Sequence, residues 1–179
     1  MKPVVENDIR QFLTDNFPLS AQGFTLAPEA SLIEAGVIDS TGVLELIEFI
    51  ESSLYTVINS ITRDEPSGLK QAELILGLML GFAQKNPGMT RVLIGDALVN
   101  EDERLQARVN QLLDRLEASL RQSARLAVTA GTLPADWDVN AYANAVIAFV
   151  MGRWHQFAKS GFKRAPMDGW PQQWRVFAA

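Results

Sequence analysis

The chain has 179 residues, 47% hydrophobic and 21% charged, with a net charge of −5, enough to build a sizeable core. It has no cysteine, which excludes disulfides and thiolate chemistry. His155 is its single histidine and no carboxylates stand at ligand spacing, so a metal site is not expected.

The charge is uneven. Residues 1–51 carry Lys2 and Arg10 against nine acidic residues, a net of −7 that leaves +2 for the rest. An acidic leading segment is unsuited to phosphate backbones and suits a basic partner. The plain alternative is a solvated acidic surface. No run of 18 apolar residues exists and MKPVVENDIR has no apolar signal core. The expectation is a cytoplasmic protein without membrane contact.

Val5, Ile9, Phe12, Leu13 and Phe17 recur at helical spacing until Pro18. Residues 19–38 read as a long loop, pinned by Phe24, Leu26, Leu32, Ile33 and Val37. Residues 39–65 read as one long helix, because Val43, Ile47, Ile50, Leu54, Val57 and Ile61 recur at steps of four and three. Asp39 or Ser40 is placed to cap it. Pro-Ser-Gly at 66–68 is a turn. Residues 69–85 are apolar nearly all round, which predicts burial on most sides. Asn86-Pro87-Gly88 breaks that helix, and a short one is predicted over 89–98.

An amphipathic helix is predicted over 100–130, with Leu105, Val109, Leu112, Leu113, Leu116, Leu120 and Leu126 on one side. Asp138 should cap a further helix to about residue 159, and a last short helix is predicted over 170–179. No period-two pattern occurs, so the predicted class is all-α.

Residues 34–51, EAGVIDSTGVLELIEFIE, resemble the modification site of acyl and peptidyl carrier proteins, in which a serine after an aspartate opens the second helix. The similarity extends back to residue 4. It implies 4′-phosphopantetheine on Ser40 beside Asp39, attached by a separate phosphopantetheinyl transferase. It also implies a partner-docking face at Glu45, Glu48 and Glu51. The residues themselves offer a helix terminus suited to a phosphodiester. They offer no base near Ser40 to activate it. The carrier pattern stops near Glu51, before the helices that would close a carrier core.

Residues 46–179 resemble the regulatory and dimerisation domain of TetR-type repressors of the SlmA-type nucleoid occlusion branch. The stretches that carry this are LIEFIESSL (46–54), INSITRDE (58–65), LGFAQKNPGMTRVLIGDAL (80–98), DERLQARVNQLLDRLEASLRQ (102–122) and FAKSGFKRAPMDGW (157–170). The resemblance implies a homodimer through a four-helix bundle of 138–160 and 168–179, with Phe149, Val150, Trp154, Trp170 and Trp174 on the seam. Packing within one chain is the alternative for these residues. It further implies a face for the division protein FtsZ at Phe49, Leu78, Gly81, Lys85 and Asn86. Val57 departs from the basic residue of the family, so that binding is expected to be weakened or absent. No basic recognition helix precedes Leu46, so no sequence-specific DNA binding is expected.

His155 stands beside Trp154 and Phe157, a packed setting rather than a catalytic one. Met79, Phe82, Met89 and Met151 read as core, with a ligand pocket as the alternative.

LIEFIE, 46–51, fits both resemblances. The sequence therefore reads as a chimera: a carrier-like segment, 1–51, sharing helix 40–65 with a dimerising body, 46–179. The expected function is a non-catalytic helical homodimer that requires no cofactor. The alternatives are a carrier protein acting through Ser40, or an SlmA-like regulator binding DNA or FtsZ. Breaking the shared helix at Ile50 is expected to release residues 1–45 and leave the body formed.

Overall fold

The computed structural model describes Gln11, residues 40–95 and residues 103–178. The helix expected over 4–17 (Gln11 apart), the loop 19–38 and Asp39 lie outside the described residues. The elements are α1 (Ser40–Asp64), α2 (Gly68–Lys85), α3 (Pro87–Leu93), α4 (Glu103–Thr129), α5 (Val139–Lys159) and α6 (Trp170–Phe177). Among the described residues there is no strand, as the all-α reading expected.

The buried stripe of α1 starts at Val43 and continues through Leu46, Ile47, Ile50, Leu54, Ile58 and Ile61. These residues share one core with Leu112 and Leu116 of α4 and Ile75 and Leu76 of α2. The inward face of 46–51 therefore belongs to the body. A proline at Ile50 would open this core, so release of residues 1–45 from an intact body does not follow.

Pro66 prevents α1 from continuing, and Ser67 caps α2 by accepting from the Lys70 N–H at 3.4 Å. Gln71 closes this corner. Its Nε2 donates to the carbonyls of Thr62 (3.2 Å) and Glu65 (2.7 Å), while its Oε1 accepts from Ser123 Oγ (3.2 Å). The free carbonyls at the end of α1 thus find a partner fixed to α4.

Gly68 lets the start of α2 lie directly on α4. A Cβ there would come within 2.2 Å of the Ser123 carbonyl oxygen and 2.5 Å of the Ala127 nitrogen, both backbone atoms. Gly68→Ala should lower stability by about 2 kcal/mol, since neither helix can yield cheaply. Gly81→Ala, with nothing within 4 Å of the added methyl, should be neutral or slightly stabilising. Equal thermal melts for the two variants would rule out this close approach.

Pro87 opens α3 in its first turn. The buried Thr90 hydroxyl donates to the carbonyls of Ala83 (3.0 Å) and Asn86 (3.1 Å), which holds α3 against the end of α2. Helix α3 stops at Leu93, short of the expected residue 98, and Gly95 has a φ of 76°. Residues 96–102 lie outside the described residues. Helix α4 buries Leu105, Val109, Leu112, Leu116, Leu120, Ala124 and Ala127, the spacing read from the sequence. Asp138 caps α5, accepting from the N–H groups of Asn140 (2.9 Å) and Ala141 (3.0 Å). In the bundle α2 packs on α4 and α5, α4 on α5 and α1, and α3 braces α2 and α5.

Tyr142 of α5 is buried, its hydroxyl has no hydrogen-bond partner among the described residues, and burial pushes its pKa from 10.0 up to about 12. Because the folded value lies above the unfolded one, its contribution is full below pH 10 and lost as pH rises toward 12. Tyr142→Phe should match or exceed the wild type at neutral pH and should lack this alkaline loss, about 2 kcal/mol. Urea melts at neutral and alkaline pH check both statements.

Candidate functional site

Ser40 is the first residue of α1. Nothing is described of its side chain or of Asp39. Of the acidic residues expected to form a docking face, Glu45 and Glu48 are exposed, and Glu48 reaches Arg108 at 3.9 Å. Glu51 is buried, 4% exposed, and corrects that expectation. Its two carboxylate oxygens pair with Arg108 and Arg115 of α4. The Arg115 guanidinium also lies 4.3 Å from the centre of the Tyr55 ring, and the Tyr55 hydroxyl is 3.4 Å from Ser119 Oγ. Desolvation by burial raises the Tyr55 pKa above its usual value against the lowering effects of Ser119 and Arg115. Glu51 thus clamps α1 to α4 and offers nothing to a partner. Its inward placement follows from the sequence, because Ile47, Glu51, Leu54 and Ile58 share a helical face.

Leu78, Gly81 and Lys85 recur on one side of α2 at steps of three and four. Leu78 and Gly81 are half-buried and Lys85 is exposed. The half-buried Phe49 of α1 packs against the core. Asn86 does not join this surface. It is 5% exposed, and its Nδ2 donates to the Phe82 carbonyl at 2.8 Å. Val57 is also buried.

The aromatic seam expected between two subunits lies mainly inside one chain. Val150, Trp154, Trp170 and Trp174 are all buried. Trp154 Nε1–H donates to the Met79 carbonyl at 3.3 Å. Phe149 is half-buried, 6.2 Å from Trp170 and 5.0 Å from Phe177 between ring centres. These residues fasten α6 and α5 onto α2, where the Trp170 indole nitrogen lies beside Gly77. Met79, Phe82 and Met89 are core residues, Met151 is half-buried, and His155 is half-buried on α5.

The surface that the apolar reading passed over is the opposite side of α5. Ala141, Asn144, Ala145, Ala148 and Gly152 are exposed there. Helix α6 exposes Val176, at 76% the large hydrophobic residue most open to solvent among those described. The signal was present as a second helical period of small residues at 141, 145, 148 and 152.

Among the described residues no helix is long and apolar enough to cross a membrane, and no three potential metal ligands come together.

Residues 67–179 match the SlmA-like family model, described as a tetracyclin repressor-like, C-terminal domain. The nucleoid occlusion factor SlmA of Marinomonas sp. (strain MWYL1) is 45% identical over 133 residues, covering 74% of this chain and 68% of that protein. The factor of the same name from Alteromonas mediterranea is 46% identical over 134 residues, with the same two shares. That of Salmonella dublin is 44% identical over 134 residues, 75% of this chain and 68% of its own length. Such regulators are not enzymes and need no cofactor. On both the matched span and the identity, the chain belongs to the SlmA-like family of tetracyclin repressor-like C-terminal domains.

Proposed function

We propose that the chain is a non-enzymatic regulator of the nucleoid-occlusion type, built around a homodimeric helical body. The observation that carries this reading is the identity of about 45% across most of the chain to proteins named as nucleoid occlusion factors. The family match begins at residue 67 and does not reach Ser40, so it lends nothing to a carrier or chimeric origin. The dimer forms through the outer faces of α5 and α6. Small residues at Ala141, Ala145, Ala148 and Gly152 let two copies of α5 approach closely, and Val176 is covered by the contact. Leu78, Gly81 and Lys85 of α2, with Phe49 of α1, supply the partner-facing side by resemblance to the family. The body itself is assigned no sequence-specific DNA contact.

Light scattering tests the dimer. Wild type should have twice the chain mass at micromolar concentration. Ala148→Arg should give a folded monomer, because a buried unpaired charge would face its own copy across the axis. A monomeric wild type, or an Ala148→Arg dimer, would sink this assignment. Intact mass after incubation with coenzyme A and a promiscuous phosphopantetheinyl transferase separates the carrier reading. The regulator reading expects no mass gain, whereas a gain lost in Ser40→Ala would establish Ser40 as an attachment site.

A further inference from the structure

The body gathers exposed positive charge where α5 ends. Lys159 is the last residue of α5, and Ser160 holds the turn that follows. Its Oγ accepts from the backbone N–H groups of Lys163 (3.1 Å) and Arg164 (2.9 Å) and donates to the Phe157 carbonyl at 2.8 Å. Gly161 and Phe162 follow with φ of 62° and 63°. Among the described residues Phe162 is the one non-glycine with positive φ, a backbone region that disfavours a bulky side chain. A glycine or asparagine would make this turn more easily, so the turn alone does not account for the ring.

The ring has specific neighbours. Phe157 meets it edge-on at 5.0 Å between centres, and the Arg91 guanidinium from α3 lies 5.2 Å from its centre. Arg91, Lys159, Lys163 and Arg164 are exposed, and none has a carboxylate partner among the described residues. Arg153 differs, because its guanidinium is used up on the carbonyls of Ala165 (2.9 Å), Pro166 (3.2 Å) and Asp168 (3.0 Å), which fixes the next turn. The negative end of the α5 dipole accounts for Lys159 in its last turn. It does not account for Lys163 and Arg164 beyond the helix, or for Arg91 on another helix.

We propose that Arg91, Lys159, Phe162, Lys163 and Arg164 form a docking site for a short acidic peptide segment of a partner protein. Carboxylates would pair with the four cations, and the pinned Phe162 ring would form a half-buried floor for a neighbouring apolar side chain. The two hydrogen bonds to Ser160 hold the turn before a partner arrives, which lowers the ordering cost of binding. An acidic peptide fits better than nucleic acid. The four cations lie around one turn at the end of α5, whereas a phosphate backbone calls for an extended basic stripe.

The test is fluorescence anisotropy of the full chain with the fluorescein-labelled peptide EEFFEE, against KKFFKK and a random-sequence DNA duplex. EEFFEE should bind, weaken with added salt, and exceed both controls. The double variant Lys163→Glu with Arg164→Glu should lose about tenfold or more in affinity. Arg125→Glu, an exposed charge reversal on α4, should change it little. Unchanged circular dichroism and melting in each variant keep the comparison clean. The proposal is overturned by equal binding in wild type and the double variant, or by duplex DNA outcompeting the peptide at the same residues.

Discussion

Trp154→Ala is expected to lower stability by about 4 kcal/mol, roughly 12 °C in melting temperature for a chain of this size. Trp154 is 2% exposed and sits where α5 crosses α2, in one core with Trp170. Truncation removes the largest fully buried side chain and leaves a cavity that helices fixed at both ends by caps cannot close. It also removes the donor to the Met79 carbonyl, although that oxygen retains its place in the α2 ladder. Trp154→Phe should cost less, about 1–2 kcal/mol, since most of the apolar contact remains. The pair also separates two locations for the residue. A core tryptophan destabilises the fold at any protein concentration, whereas a seam tryptophan would leave the monomer folded and shift only the dimer equilibrium. A Trp154→Ala variant that keeps its helical content and cooperative melt but is monomeric by light scattering would return Trp154 to the subunit boundary.

The sequence allowed much of this to be read, within a definite physical limit. Helical period reports which side of a helix is covered, so the stripes of α1 and α4 were legible, and Asp138 was legible as a cap by its residue type. The period does not report what does the covering. Val150, Trp154, Trp170 and Trp174 are buried as expected of large apolar residues, but by their own chain. The face left open on α5 is made of alanine and glycine, which hydrophobicity alone does not mark as a contact. Glu51 failed in the opposite sense. Its charge suggested solvent, while its register with Ile47 and Ile58 pointed inward, and register prevailed because α4 supplies two guanidinium groups. The early end of α3 was missed because the apolar residues after Leu93 continue the pattern while Gly95 adopts a left-handed conformation. In α1, the apolar run through 46–51 resembled two families in sequence, and the core it shares with α2 and α4 assigns its inward face to the body.

The Glu51 clamp gives the second large effect. Glu51→Ala should cost about 3 kcal/mol, because removing one partner of a buried pair strands charge in a place that water reaches poorly. The cost falls chiefly on Arg108, whose side chain is 22% exposed. Arg115 is 57% exposed and can turn its guanidinium to solvent, so its share is screened. Arg115→Ala should therefore cost only about 1 kcal/mol, mostly the lost contact with the Tyr55 ring. Arg108→Ala should fall between the two, since Glu51 keeps Arg115. Replacing both partners, Glu51→Leu with Arg108→Leu, should recover most of the loss, as apolar substitution of a buried ion pair often does. Ile47, Leu54 and Ile58 would bury equally well against many apolar surfaces, and the buried carboxylate, with the Tyr55 contacts to Arg115 and Ser119, specifies where along α4 the helix comes to rest. Chemical denaturation with amide exchange along α1 reads both effects. Loss of stability with uniform protection would make the clamp a simple stabiliser, whereas protection lost first at residues 43–54 would show that it sets the register of α1 on the body.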